Sequence, residues 1–234
     1  MRSACWTCAC RPTSDALVRF LTYNIRHAEG YDGWVSNKRI AAVIRRSEPD
    51  VVGLNEVWNI PHLFEQPRLL GELSAMKWEY VETTRYVVQS LGNAILTRNA
   101  VVARREIALP RGMERRAALL VDVDADGTLV TFASTHLSLG RSKRAEQIEM
   151  LRRELPRDRP LVLAGDFNCE AAELAPLGEF LTVVGQPPLT FPALRPRRAL
   201  DHIAFSEHWR LVELRAVRSL ASDHLPLLAD LALR

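Results

Sequence analysis

A short apolar segment that ends in polar residues constrains this chain more than any other part of its sequence. Residues 161–164 read Leu-Val-Leu-Ala, a continuous apolar run typical of a strand that is buried on both faces. Gly165, Asp166, Phe167 and Asn168 follow directly. A turn accounts for the aspartate and the asparagine separately, but it does not require Phe167 between them. The two-residue period of a strand instead points Asp166 and Asn168 the same way, toward a cleft, with the phenylalanine packed behind them.

Polar residues adjoin apolar strands at several other places. The residues that share this position are Asn24, Glu56, His136, Asp201, His202, Asp223 and His224. Each one alone has an ordinary structural explanation, because Asn and Asp are common turn residues and a buried His is usually hydrogen-bonded within the fold. Together they are too regularly placed for that explanation, and several carboxylates in one cleft repel each other unless a cation compensates their charge. Oxygen-rich ligands without a Cys/His tetrad favour Mg²⁺ or Mn²⁺ over structural Zn²⁺.

Hydrophobic periodicity predicts many strands and a few interspersed helices. The first strand spans residues 17–26, and Ser36 is the predicted N-cap of a helix that ends at Pro49. Gly127 tolerates a positive φ and marks the turn of a hairpin. The other predicted elements are a weak helix after residue 59, a helix over 142–155, and strands within 49–58, 78–86, 92–109, 116–137, 160–168, 200–206, 211–219 and 222–233. This order favours an α+β sandwich with sheets packed face to face and helices outside.

The chain is long enough for one large domain with a substantial core, since it has 234 residues and 47% of them are hydrophobic. We expect residues 17–234 to form a single domain and residues 1–16 to be a disordered or non-native tail. No apolar run approaches the ~18 residues of a membrane span, and no signal peptide is evident. The expected location is therefore the reducing cytoplasm, and the expected state is a monomer.

The net charge and the cysteines exclude few classes of function. The formal net charge of +3 lets the protein approach phosphates but does not establish nucleic-acid binding. Cys5, Cys8 and Cys10 are close together, yet no downstream ligand cluster completes a metal site with them. Cys169 stands alone after the aspartate strand, where we expect a small buried neighbour rather than a reactive group.

Seven motifs occur in the order found in one known superfamily. They are TYNIR, LNEV, GNAILTR, STHL, GDFNCE, LDHIAF and SDHLPLLADL, and they extend from about residue 18 to the end. On these motifs the chain resembles the endonuclease/exonuclease/phosphatase superfamily, in the branch that holds DNase I-like and sphingomyelinase-like phosphodiesterases. The resemblance implies a four-layered α/β sandwich of two mainly antiparallel sheets with flanking helices. It also implies that strand ends meet in one metal-dependent phosphoesterase cleft.

The resemblance assigns a metal site to three of the polar residues. Glu56 is similar to the principal metal carboxylate of the family. Asn24 is expected beside it, where it helps to hold the metal or the phosphate, and Asp223 resembles a further metal-proximal carboxylate. The implied cofactor is Mg²⁺ or Mn²⁺.

The resemblance also implies catalytic roles. Asp166 matches the general base that deprotonates the attacking water, and Asn168 matches an amide that contacts a phosphate oxygen. His224 resembles the histidine that hydrogen-bonds the phosphate, with Asp201 orienting its ring. His136 resembles the second histidine of the DNase I-like branch, which acts either as leaving-group acid or as phosphate ligand.

Two positions depart from the family pattern. Asn55 stands where many relatives have Gln before the metal Glu, a small change. Arg26 stands where the abasic-site repair nucleases often have an acid, two residues after the strand-end Asn. This difference argues against a two-metal arrangement built on that acid and weakens a DNA-repair function.

Substrate choice depends on the loops, which are short here. Asn93 and Arg198 are the predicted substrate-binding residues, and Arg198 belongs to the loop TFPALRPRR, which is either a basic patch or a solvated loop stiffened by prolines. The loop YDGW, with Tyr31 and Trp34, is a second candidate, and the loop VWNIPHLF, with Trp58, is a third. Three functions remain: hydrolysis of a small or lipid-derived phosphate ester, a DNA endonuclease or exonuclease, and a non-catalytic phosphate-binding module. A phosphate ester is the favoured partner and nucleic acid a less favoured one.

Overall fold

The structure, a computed structural model, describes residues 17–125 and 127–234. Residues 1–16 lie outside the described residues, so the expected tail and its cysteines Cys5, Cys8 and Cys10 stay predictions. The turn that Gly127 was predicted to form lies beside the undescribed residue 126, and Gly127 itself has the positive φ, +86°, that the prediction requires.

The described residues form thirteen strands and three α-helices. The strands are β1 Leu17–Asn24, β2 Val51–Ile60, β3 Phe64–Glu65, β4 Lys77–Arg85, β5 Ser90–Thr97, β6 Val101–Leu109, β7 Arg116–Ala125, β8 Thr128–His136, β9 Leu161–Asp166, β10 Thr182–Val183, β11 Asp201–Phe205, β12 Trp209–Ala216 and β13 Leu227–Leu233. The helices are α1 Asn37–Ser47, α2 Gln66–Ser74 and α3 Arg141–Glu154, with 3-10 segments at Arg26–Ala28 and Ala171–Glu179. Each predicted strand and helix is present, whereas the two-residue strands β3 and β10 and both 3-10 segments were not predicted.

The strands form two sheets. The first has the order β12-β13-β1-β2-β5-β4, with β3 paired to β2, and the second has the order β10-β11-β9-β8-β7-β6. Each sheet is mixed, because β1 runs parallel to β2 in the first and β8 runs parallel to β9 in the second. The other neighbouring pairs are antiparallel, which confirms the predicted α+β sandwich of two mainly antiparallel sheets.

The two sheets pack face to face around one apolar core, and helices cover their outer faces. Phe20 of β1 projects between the sheets and stacks on Phe132 of β8, with ring centroids 5.5 Å apart. Leu21 and Tyr23, which alternate with Phe20, instead pack with residues of α1 on the outer face. The second sheet is covered by α3 and the 3-10 segment after β9. Central strands that are buried on both faces explain the continuous apolar runs in the sequence.

The helices are short and serve to cover the sheets. Helix α1 follows Ser36 as predicted, although the Ser36 hydroxyl makes no capping hydrogen bond. The longest helix, α3, has 14 residues. Within the residues that the structure describes, no helix combines the length and hydropathy needed to cross a bilayer.

The two parallel pairs bring polar strand ends to one edge of the sandwich. In the first sheet Asn24 is the register partner of Asn55, and in the second His136 is the partner of Asp166. Asp166 is also paired across the antiparallel β9–β11 ladder with Asp201. Strand β1 packs against β9 across the interface between the sheets, so both sets of polar residues meet in the same place.

Gly165 permits the close approach of β8 and β9 just before the aspartate. Its φ is +150°, and a Cβ added at this position would lie 1.8 Å from the backbone oxygen of Thr135. No side chain fits at that distance, so a glycine is required before Asp166 for the strand to end where it does.

Candidate active site

A cleft of about 340 Å³ lies at the edge where the polar strand ends meet. The predicted site residues that line it are Glu56, Asn93, His136, Asp166, Asn168, Arg198 and His224. Asn24 and Asp201 lie directly behind this wall, since both side chains are buried and hydrogen-bonded to residues that line it. The structure therefore brings together nine of the ten predicted residues, and Asp223 lies at the margin.

The Asn24 amide connects the two principal carboxylates. Its Nδ2 donates to Glu56 Oε1 at 2.9 Å and to Asp166 Oδ2 at 3.0 Å. The backbone N–H of Arg26 donates to Asn24 Oδ1, which turns the amide nitrogen toward the carboxylates. In this orientation Asn24 positions the carboxylates rather than offering its own oxygen to a metal.

A bulge in β2 carries Glu56 into the cleft. The register with β5 shifts between Leu54 and Val57, and Glu56 has a positive φ of 55°. A non-glycine residue in this conformation is uncommon and is often found where a side chain is aimed at a functional site. The Glu56 side chain is only partly buried, so its second oxygen remains available to a ligand in the cleft.

Asp166 is buried yet well supplied with hydrogen bonds. Its Oδ1 accepts the Asn168 N–H at 2.9 Å, and its Oδ2 accepts from Asn24. Burial, together with the negative charge of Asp201, raises the pKa of Asp166 to about 7. A carboxyl with a pKa near neutrality can accept and release a proton at working pH, as a general base must.

His224 carries a proton between two carboxylates. Its Nδ1 lies 2.8 Å from Asp201 Oδ2, and its Nε2 lies 3.7 Å from Asp166 Oδ2. Burial alone lowers the pKa of His224, but the charge and hydrogen bond of Asp201 and the charge of Asp166 outweigh it and raise that pKa to about 10. The ring is therefore a cation at neutral pH, which faces the cleft through Nε2.

His136 is neutral, in contrast to His224. Burial and then the positive charges of Arg116 and His224 hold the pKa of His136 well below its usual value. Its Nε2 lies 3.1 Å from Asn168 Nδ2, whose amide nitrogen also donates to the Leu137 carbonyl at 2.9 Å. The His136 Nε2 therefore accepts this hydrogen bond, and His136 and Asn168 form a fixed pair.

Asn168 reaches the cleft by a turn rather than by strand alternation. β9 ends at Asp166, and Asn168 has a left-handed φ of 53°. Phe167 between them is completely buried, and its ring meets His202 edge-on with centroids 5.6 Å apart. The expectation that Phe167 packs behind the polar pair is thus confirmed, although the backbone route differs from the predicted strand period.

Three predicted residues occupy less direct positions. Both ends of the Asn93 amide are occupied, because Nδ2 donates to Ala117 O and Oδ1 accepts from Asn55. Arg198 is exposed, with its Nε 4.0 Å from Glu170 Oε1. Asp223 is half-buried at the margin, where Oδ1 accepts from Ser222 and Oδ2 lies 4.0 Å from Arg26 Nε.

His202 and Cys169, which the sequence pattern also includes, have structural positions. His202 Nε2 lies 2.8 Å from the Cys169 carbonyl oxygen, and its side chain is buried away from the cleft. Burial raises the pKa of the Cys169 thiol to about 12, so it remains protonated and unreactive. The expectation of a small buried neighbour at Cys169 is confirmed.

Comparison with known proteins then identifies the family. The model of the Endonuclease/Exonuclease/phosphatase family matches residues 21–224. This chain belongs to the endonuclease/exonuclease/phosphatase family. It is 32% identical over 208 residues to the uncharacterized protein YbhP of Escherichia coli, a match that covers 79% of this chain and 81% of that protein.

Solved structures agree with this membership. An endonuclease/exonuclease/phosphatase from Beutenbergia cavernae superposes with a TM-score of 0.80 and 27% identity over 93% of this chain and 72% of its own. The human Nocturnin catalytic domain, solved with a bound sulfate anion, gives a TM-score of 0.74 at 23% identity over 94% of this chain and 96% of its own. The second likeness concerns the fold alone. Both confirm the predicted DNase I-like architecture.

Members of the endonuclease/exonuclease/phosphatase family are generally hydrolases of phosphate esters and usually require a divalent metal. The donor set of this cleft fits such an ion, since the Glu56 carboxylate is a hard oxygen ligand that faces the cleft, and Asn24 holds the negative charge of Asp166 beside it. Asp166, Asp201 and His224 also place one potential ligand atom each within 4.8 Å of one another.

Asn55 is a site residue that sequence reasoning treated only as a departure from the family pattern. Its Oδ1 accepts the Asp166 backbone N–H at 2.9 Å, which fixes the strand end that bears the carboxylate. Its Nδ2 donates to Asn93 Oδ1 and to the Thr135 carbonyl. One completely buried amide thus connects both sheets behind the cleft. The one feature of the sequence that pointed to Asn55 is its position directly before Glu56.

Arg116 is a second residue that sequence reasoning missed. It lines the cleft at the start of β7, with its side chain 11% exposed and an Nη2 contact of 2.7 Å to Glu114. Its Nε is buried and has no hydrogen-bond partner among the described residues. An arginine at the start of an apolar strand is usually a solvated flank, so the sequence carries no signal for this burial.

Proposed function

We propose that this protein is a divalent-metal-dependent hydrolase that directs water at the phosphorus of a phosphate ester, with Asp166 as the general base. The observation that carries the proposal is the Asn24 amide, which holds Glu56 and Asp166 together opposite the cationic ring of His224. In this cleft one carboxylate can hold a cation, the other can accept a proton from water, and the histidinium can offset charge that develops on the phosphoryl oxygens.

Glu56 would hold the divalent cation, with Asn24 keeping the carboxylate in place. Such an ion, when bound, supplies Lewis-acid stabilisation of charge on the phosphoryl oxygens. Asp223 is a weaker candidate ligand, because its oxygens face Ser222 and Arg26 at the cleft margin.

Asp166 takes one proton from the attacking water as the water oxygen bonds to phosphorus and the bond to the leaving oxygen breaks. Both of its oxygens accept a hydrogen bond, Oδ1 from the Asn168 N–H and Oδ2 from Asn24. We assign the proton transfer to Oδ2, because this oxygen lies 3.7 Å from His224 Nε2, which faces the cleft. A pKa of about 7 leaves a substantial ionised fraction at neutral pH and a proton affinity suited to the transfer. No covalent intermediate is needed.

His224 and His136 serve different purposes in this proposal. The protonated His224 donates from Nε2 to a phosphate oxygen and offsets the charge that develops there. The neutral His136 accepts from the Asn168 amide, which supports a phosphate-positioning role for the pair rather than a leaving-group acid at His136. Arg116 offers a further cation to the same phosphate, since it lines the cleft, where its Nη2 also contacts Glu114.

A substrate panel tests the proposal. We expect hydrolysis of bis-p-nitrophenyl phosphate or of p-nitrophenyl phosphate with Mg²⁺ or Mn²⁺, and complete loss in EDTA. The panel also includes sphingomyelin, phosphoinositides, and intact and abasic plasmid. Activity that persists in EDTA, or that is absent on every ester at any metal concentration, contradicts the proposed function.

Two other functions give distinct results in the same panel. A nuclease, which the exposed Arg198 beside the cleft favours, nicks plasmid with a rate that falls steeply with salt. A non-catalytic binding module binds phosphate without hydrolysing any ester.

A further inference from the structure

A second cavity adjoins the catalytic cleft. It has a volume of about 410 Å³, and Phe191 and Arg198 line both cavities. Its floor is apolar and partly aromatic, formed by Tyr31, Phe191, Pro192 and Leu194. We call this cavity, with its rim of Arg195, Arg197 and Arg198, the arginine groove.

Two of the three arginines on the rim of the arginine groove carry positive charge that no described carboxylate neutralises, whereas Arg198 Nε lies 4.0 Å from Glu170 Oε1. Arg195 and Arg197 are exposed, and neither guanidinium has a carboxylate within 4.0 Å among the described residues. Other arginines of this chain differ, as Arg39 pairs with Asp32 at 2.7 Å and Arg152 pairs with Glu149 at 2.7 Å. Unpaired arginines next to a phosphate-processing cleft form an anion-binding surface.

Two loops that are far apart in the sequence build the groove, and both are fixed to the segment that carries His224. The Tyr31 N–H donates to Leu220 O at 3.0 Å, and the Ala193 N–H donates to Asp223 O at 2.7 Å. The second loop is closed by backbone hydrogen bonds in both directions between Phe191 and Arg198. The groove is therefore anchored to the same backbone as the catalytic histidine.

Phe191 forms the junction between the groove and the cleft. Its ring lies against the His224 ring, with centroids 4.8 Å apart and planes at 46°. A substrate whose phosphate contacts His224 thus has its next group over Phe191 and the one beyond it among the arginines. The apolar floor disfavours a hydroxyl-rich group, and the arginine rim disfavours an uncharged acyl chain.

We propose that the arginine groove binds the part of the substrate beyond the scissile phosphate, and that this part is a nucleotide, with a planar base over the aromatic floor and a further phosphate at Arg195 and Arg197. The inference rests on the proposed function, because it takes the scissile phosphate to lie at His224. A free nucleotide and a nucleic-acid strand share this chemistry.

Binding to the turnover-deficient Asp166→Asn protein tests the inference without requiring hydrolysis. Titration calorimetry with Mn²⁺ would compare thymidine 3′,5′-bisphosphate with ribose 5-phosphate, which lacks the base and the second phosphate. We expect the bisphosphate to bind at least about ten-fold more tightly. Arg195→Ala/Arg197→Ala should remove that advantage, and Tyr31→Ala should reduce it. Arg104→Ala/Arg105→Ala is the matched control, since these exposed arginines of β6 line neither cavity.

A ten-nucleotide oligothymidylate with phosphorothioate linkages distinguishes the two sources. If the ligand is a strand, the oligothymidylate should bind more tightly than the bisphosphate. The slope of log K against log salt concentration should then be less negative by about 1.4 in Arg195→Ala/Arg197→Ala. Equal affinity identifies a free nucleotide. If the bisphosphate binds the Asp166→Asn protein with and without Arg195→Ala/Arg197→Ala equally tightly, the arginine groove does not bind the substrate. This conclusion holds even if ester hydrolysis is found. If no ester in the panel is hydrolysed but the bisphosphate still binds through Arg195 and Arg197, the proposed function alone is wrong.

Discussion

The His224 ring is held by Asp201, whose Oδ2 lies 2.8 Å from His224 Nδ1 in a completely buried contact. The other oxygen of Asp201 has no hydrogen-bond partner among the described residues, so its charge is directed mainly at the ring. Asp201 is also the register partner of Asp166 across the β9–β11 ladder. One strand pairing therefore sets both the general base and the histidinium that faces it.

Asp201→Asn should lower the pKa of the His224 ring. The pKa of the His224 ring is about 10 in the folded protein, against an ordinary value of 6.5. Protonation of the ring therefore stabilises the fold fully below about pH 6.5, and this stabilisation is lost as the pH rises through about 10. NMR titration of the metal-free protein should show a His224 ring that stays protonated to about pH 10. In Asp201→Asn only the charges of Asp166 and Asp223 oppose the effect of burial, so the ring should titrate below that value. An unchanged titration in the variant would show that Asp201 does not hold the proton.

Asn24→Asp should abolish most activity. The substitution places a third carboxylate where an N–H₂ group now connects Glu56 with Asp166, so repulsion replaces two hydrogen bonds. We expect turnover of the best substrate to fall ~100-fold or more, in steady-state kinetics with Mn²⁺. Asn99→Asp is the matched control, because the exposed Asn99 makes the same charge change outside the cleft. Turnover of Asn24→Asp equal to that of the control would exclude the bridging role.

Arg116→Gln should weaken substrate binding. Arg116 lines the cleft and pairs with Glu114, so the substitution removes a cation from the phosphate site. A KM increase of about ten-fold or more is expected, with a smaller change in kcat, in the same kinetic assay. The neighbouring Arg115→Gln, at an exposed position, supplies the control. Equal KM values for the two variants would remove Arg116 from the site.

Asn55→Leu should destabilise the protein although it conserves size. The substitution leaves the Asp166 N–H, Asn93 Oδ1 and the Thr135 carbonyl without their buried partner. We expect the free energy of unfolding to fall by about 2–4 kcal/mol, measured by urea denaturation. Asn99→Ala, on the surface, should change it by less than about 0.5 kcal/mol. A loss as small as the control's would mean that the amide does not connect the sheets.

Much of this architecture was predictable from the sequence. Apolar runs marked the buried strands, and polar residues at their ends marked the cleft, because a rigid sheet edge is where side chains can be aimed together. The pattern identified Asp166, Asn24 and Glu56. In the structure the carboxylates of Asp166 and Glu56 both lie within hydrogen-bond distance of the Asn24 amide nitrogen.

Other features depend on distant partners and carry no local signal. The positive φ of Glu56 arises from the bulge in β2, since nothing in a glutamate requires that conformation. The position of Arg116 in the cleft depends on the packing around β7. Tyr31 and Phe191 line the same cavity because two loops, far apart in the sequence, meet in the folded chain. Gly165 reads as a turn glycine in the sequence, whereas its reason is the Thr135 backbone beside it.

The rate of phosphate-ester hydrolysis by Asp166→Asn with saturating Mn²⁺ tests the central claim most directly. Mn²⁺ binding, followed by calorimetry in the same sample, shows whether Glu56 still holds the ion. Asp158→Asn, at an exposed surface position, is the matched control. We predict a loss of turnover of ~100-fold or more with Mn²⁺ binding retained. Hydrolysis at the parent rate by the metal-loaded Asp166→Asn protein would contradict the role of Asp166 as general base.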